Sequence, residues 1–223
     1  MLQLSLLIVL GTQIANATSS GISMKPKFVT NKMCPYAQKV WIALEVSQID
    51  YEMNEISLYG PNGKPDWFWK LNPKGTVPVL DCGSKGVWAD SDLILDRLPE
   101  LLPSRSLVLT ASNPEHEKLV RTWRLDINAM LAIGRAAIQS GKNKSMQQQL
   151  CSMLQRLENN IVGPFLCGEK VTTADCAAFP FLWRLDTASY LDDYPNLRNW
   201  LEHCQTHHPA FSTTIQSSWW WWW

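Results

Sequence analysis

Apolar and polar positions change their period about halfway along the chain. From about residue 27 to 98, short β-like runs alternate with short helical patterns, whereas from about 113 to 211 only helical periods occur. In the first stretch Lys27 to Thr30 reads as a strand and Asn31-Lys32-Met33 as a loop. Ala37, Val40, Trp41 and Leu44 then fall at i, i+3, i+4 and i+7, one face of a helix. A second apolar run, Leu93, Ile94 and Leu98, follows Asp90-Ser91 and should stop at Leu98, because Pro99 disfavours helical geometry there. In the second stretch Leu119, Trp123, Ile127, Met130 and Leu131 share a helix face. Thr172-Thr173-Ala174-Asp175 reads as a capping-box variant, with Thr172 as N-cap and Asp175 at N3. It opens a helix that carries Ala178, Phe181, Leu182 and Leu185 and that Pro180 should kink.

Mixed α/β followed by all-α predicts two packed domains, residues 25–98 and 113–211, joined by a Pro- and Ser-bearing linker at 99–112. Residues 1–24 are read as a leader outside the fold. Leu4 to Leu10 is apolar, and Ala15-Asn16-Ala17 supplies the small residues of a cleavage site after Ala17. That pattern fits a secretory signal or the first part of a plastid address, although no Lys or Arg precedes it; an extended gene-model start is the alternative. The expected compartment is cytoplasm or plastid. The apolar run is too short for a stable membrane span. Residues 212–223, ending in Trp219 to Trp223, are expected to be a disordered tail.

Charge narrows the partners. Lys+Arg and Asp+Glu are 20 each, which leaves no basic footprint for nucleic acid and no attraction to an anionic membrane. The cysteines, Cys34, Cys82, Cys151, Cys167, Cys176 and Cys204, lack the density and spacing of a disulfide scaffold. No CxxC or HxxxH pair is taken to suggest zinc, and His207-His208 is read as too isolated for a metal site, so no metal is expected.

Cys34 stands apart from the other five. Pro35 suits the first helical position, where its missing N–H is not needed, and this places Cys34 at the N-cap. The backbone N–H groups of Tyr36 and Ala37 then point at the sulfur, and the helix end carries about half a positive charge. Lys32 and Lys39 add positive potential, so a lowered thiol pKa is expected. Cysteine is a poor cap, which argues against a purely structural role. Ala37 stands where a resolving cysteine could, so an external thiol must release any adduct.

Cys34-Pro35-Tyr36-Ala37, then Asn72-Pro73-Lys74-Gly75-Thr76-Val77-Pro78-Val79-Leu80, then Ala89-Asp90-Ser91-Asp92 resembles the cysteine-type glutathione transferases: the omega and lambda classes and the dehydroascorbate reductases. The likeness extends over roughly residues 27–211. It implies a thioredoxin-like N-terminal domain followed by a helical C-terminal domain, with Cys34 catalytic and glutathione as co-substrate. It also implies Pro78 in cis, Val77 pairing its backbone with glutathione as a peptide adds to a sheet edge, and Ser91 receiving the γ-glutamyl carboxylate at a helix N-terminus. Asp90 would take the α-amino group, Lys64 the glycyl carboxylate, and Tyr36 lies beside the sulfur. Arg121, Trp123, Arg124 and Trp183 are candidates to line the pocket for a small oxidised or electrophilic second substrate. The implied activity is glutathione-dependent thiol transfer or dehydroascorbate reduction by a monomer or homodimer. Glutathione conjugation and a non-catalytic, chloride-intracellular-channel-like module are the alternatives. Asp90 departs from the usual omega Glu, and Ala37 from the Cys or Ser usual in the reductases.

Overall fold

The computed structural model describes residues 25–59, 63–103, 109–140 and 143–216. Residues 1–24, where a leader is expected, the five terminal tryptophans and the middle of the expected linker lie outside the described residues.

The N-terminal half is a four-stranded mixed sheet with helices, and its parts follow the expected order. β1 (Lys27–Thr30) leads into α1 (Pro35–Val46) and β2 (Glu52–Glu55), then α2 (Asp66–Leu71), β3 (Val79–Asp81), β4 (Val87–Ala89) and α3 (Ser91–Arg97). The spatial order is β2-β1-β3-β4. β1 and β2 are parallel, which requires a crossover, and α1 supplies it; β3 and β4 are antiparallel. Phe28, Val40, Leu44, Val79, Leu80, Trp88 and Ile94 are buried between sheet and helices. Each large apolar side chain so buried contributes about 2 kcal/mol. This is a thioredoxin-like domain.

Two local expectations change. Leu93, counted in the apolar run of α3, is 43% exposed, while Ile94, Leu95 and Leu98 take the core. The α-helix does end at Leu98, its C-cap, but Leu98 keeps helical dihedrals in front of Pro99 and the chain continues as a 3-10 turn over Leu98–Leu101. Burial of the Leu98 side chain outweighs the steric preference of a pre-proline residue.

The C-terminal half is helical: α4 (Pro114–Ser140), α5 (Lys144–Asn159), α6 (Thr173–Thr187), α7 (Pro195–His207) and α8 (Pro209–Thr213). Ile127 and Met130 are buried as the heptad-like face demands, while Leu119 packs at its edge. The capping box forms. Thr172 accepts from Ala174, and the fully buried Asp175 accepts from the backbone N–H groups of Leu166 and Thr172, from the Thr172 hydroxyl and from the Trp200 indole at 2.8–2.9 Å. α6 continues through Pro180 without interruption. It packs closely on α1, and that junction joins the two halves. Among the described residues, no helix is long and apolar enough to cross a membrane.

Candidate functional site

The loop before α1 is built by Asn31. Its side chain accepts from the Met33 N–H at 3.1 Å and donates to the Ile56 carbonyl at 2.9 Å, and its own carbonyl accepts from the Cys34 N–H. This Asx-type turn delivers Cys34 in extended geometry to the N-cap of α1, with Pro35 at the first helical position. The Val77–Pro78 bond is cis, and the Cys34 thiol points at the Val77 carbonyl, Sγ to O 4.0 Å. The structure therefore brings Cys34, Val77 and Pro78 together, as the sequence predicts.

The ionisation expected of Cys34 needs correction. Cys34 is only 8% exposed, and burial pushes its thiol up from the ordinary value. The N–H groups of Ala37 and Tyr36 oppose this, as do the charges of Arg184 and Lys39, but desolvation prevails. Lys32, counted as a nearby cation, instead pairs with Glu55 at 3.2 Å.

Tyr36 is half-exposed and sets its ring edge-on to Phe181 of α6, centroids 5.5 Å apart. Burial, and then the neighbouring Cys34, push its hydroxyl upward. Lys64 lies over the Trp69 indole, 5.1 Å from the ring centroid. Asp90 has a positive φ of 110° and caps α3, one carboxylate oxygen accepting from the N–H groups of Asp92 and Leu93. Ser91 is buried at the first turn of α3. Val79 pairs with Ala89, the residue before Asp90, and α3 packs on α1.

The four residues expected to wall a second-substrate pocket are not gathered in one place. Trp123 is a core residue, 2% exposed. Arg124 is tied to Asp92 at 3.0 Å and to Asp96 at 2.5 Å. Arg121 is largely solvated beside Glu117, and it lines, with Arg124, Val120 and Leu125, a cavity between α3 and α4. Trp183 is part-buried on α6. Charge pairing with Asp92 and the need to bury a large indole decide these positions.

Sequence reading missed the polar joint between the halves. Lys39, with its side chain fully buried, donates to both Asp92 oxygens at 3.2 Å and to Asn128 at 3.4 Å. Burial pulls the Lys39 ammonium down, against Asp92. Burial opposes ionisation of Asp92 too, but Lys39 and Arg124 together hold its carboxyl below the usual range. Beside this pair, Arg184 of α6 reaches α1 and the loop before it. The available signal was a charged residue within the otherwise apolar run Phe179 to Leu185. His203 and His207 have the HxxxH spacing, but their rings are stacked at 4.0 Å. Among the described residues, no group of three or more His, Cys, Asp or Glu could hold a metal ion.

A thiol-bearing thioredoxin-like half docked on a helical half is a two-domain architecture. The family models for the N-terminal and C-terminal domains of glutathione S-transferase match residues 33–101 and 135–203. Glutathione S-transferase DHAR2 of Arabidopsis thaliana is 32% identical over 73% of this chain and 71% of its own length. Glutathione S-transferase omega-2 of Rattus norvegicus is 24% identical over 76% of this chain and 71% of its own length. A crystal structure of a glutathione S-transferase from the Antarctic clam Laternula elliptica superposes with a TM-score of 0.78 at 22% identity, covering 88% of this chain and 94% of that one. The chain belongs to the glutathione S-transferase family, enzymes that use glutathione as co-substrate.

Proposed function

We propose that this protein is a glutathione-dependent thiol transferase and dehydroascorbate reductase with Cys34 as its single nucleophile. The observation that carries the reading is the placement of one thiol at the N-cap of α1, 4.0 Å from the Val77 carbonyl, with Ala37 where a resolving cysteine would stand. The similarity to DHAR and omega-class relatives supports the same reaction class.

The Cys34 thiolate attacks the glutathione sulfur of a mixed disulfide. Its S–S bond breaks, the partner thiolate leaves with the electron pair, and Cys34 becomes glutathionylated. A second glutathione thiolate displaces Cys34, giving oxidised glutathione and the free thiolate. With dehydroascorbate, Cys34 adds to a carbonyl carbon. Glutathione then attacks the Cys34 sulfur, ascorbate leaves with the electron pair of the broken C–S bond, and the same mixed disulfide remains to be resolved. A thiol raised by burial works through a small thiolate fraction of higher intrinsic nucleophilicity. Val77 is read as holding the cysteinyl backbone of glutathione, Asp90 and Ser91 its γ-glutamyl end and Lys64 its glycyl carboxylate. Cys34→Ser should abolish turnover of both dehydroascorbate and a glutathionylated disulfide. If that variant keeps its activity, or if the native protein turns over only a chlorinated aromatic, conjugation is the better description.

A further inference from the structure

The helical domain supplies more than a wall to the site. Arg184 is 3% exposed, and its guanidinium bonds on both sides of the cysteine in sequence. Nη2 donates to the carbonyl of Met33, the residue before Cys34, at 3.2 Å. Nη1 donates to the Gln38 side chain, one turn after Cys34, at 3.1 Å, and to the Pro180 carbonyl at 2.5 Å. Gln38 is itself held, its amide donating to the Thr214 hydroxyl at 3.2 Å and carbonyl at 3.4 Å. These acceptors are neutral oxygens, and they orient the planar guanidinium. Away from bulk water, that charge acts at much less than water's dielectric screening.

Resting on the reading of Cys34 as the reactive thiol, we propose that Arg184 is a positioning residue that favours the Cys34 thiolate from across the domain junction, through the loop that carries the cysteine. The electrostatics agree with the geometry. Among charged side chains, Arg184 lowers the Cys34 thiol most, ahead of Lys39, and Cys34 in turn opposes the burial that pulls Arg184 down to about 9. Other titratable groups among the described residues also face this region. On α1 they are Lys39 and Tyr36; α3 brings Asp92, already paired with Lys39 and Arg124; α4 brings Arg135 near Tyr36; α8 carries no titratable side chain.

The test is the pH profile of Cys34 alkylation by iodoacetamide, read peptide by peptide by mass spectrometry, with exposed Cys151 as internal reference. Arg184→Gln should move the Cys34 midpoint up by about one pH unit and slow alkylation about tenfold below it. Arg184→Lys, which keeps the charge, should stay nearer the native profile, and Cys151 should not change. If Arg184→Gln fails to fold, Arg184→Met is the second neutral variant. An unchanged midpoint in a folded neutral variant overturns the proposal and leaves Cys34 as nucleophile. A native Cys34 that resists alkylation at every pH overturns both.

Discussion

Replacing Asp92 by Asn removes one charge from the joint between the two halves and leaves its shape intact. In the native protein Asp92 accepts from Lys39 at 3.2 Å, Arg124 at 3.0 Å and Asn128 at 2.9 Å. Arg124 keeps Asp96 after the change, but Lys39, fully buried, keeps only neutral acceptors. Breaking a buried pair by removing one partner costs about 3–5 kcal/mol, and the partial exposure of Asp92 argues for the lower end, about 3 kcal/mol. For a protein of this size that is a fall of roughly 6–12 °C in Tm. The penalty should also depend on pH. Without Asp92 the Lys39 ammonium is pulled down further. Between its folded value and that of the unfolded chain, near 10.4, the unfolded state binds the extra proton, so stability of the variant rises with pH. In acid, the native Asp92 contribution is lost as pH falls through its depressed folded value. Urea unfolding of both proteins from pH 3 to 10 should therefore show a difference that peaks near neutrality and narrows on either side. A difference below about 0.5 kcal/mol, the level of an exposed pair, or one that is flat with pH, would refute the burial argument.

Gly75 has φ +64°, and a Cβ there would sit 2.4 Å from the Trp69 ring. Gly75→Ala combines about 1 kcal/mol of left-handed strain with displacement of the indole, about 2 kcal/mol in all. Thermal denaturation should register this, and glutathione affinity should weaken, because Lys64 rests on the same ring; an unchanged Tm would show that Trp69 does not pack there in solution. The raised Cys34 thiol predicts that its reaction with a simple electrophile accelerates about tenfold per pH unit from pH 6 to 8 without levelling off. A plateau reached by pH 6 would mean that the helix end and the cations outweigh burial after all.

Local chemistry was legible in the sequence, and distant pairing was not. Cys34 with Pro35 at the first helical position, and Thr172 with Asp175, are each settled within four residues, so the pattern alone locates them. Burial of the thiol depends on α6 closing over α1, contacts made across about 150 residues, and no local signal sets its magnitude. Lys39 reads as positive potential beside the sulfur and Arg124 as a pocket candidate, because the sequence does not show that both converge on Asp92. Arg184 left a trace, a lone charge inside an apolar helix, but its acceptors at Met33 and Gln38 become visible only in three dimensions.

One intact-mass experiment tests the account most directly. Native protein, exposed to a glutathione mixed disulfide and quenched in acid, should gain a single glutathione located by fragmentation on Cys34, and reduced glutathione should remove it within the turnover time. An adduct elsewhere, such as on Cys151, or none on Cys34 while dehydroascorbate is still reduced, would contradict the single-thiol mechanism.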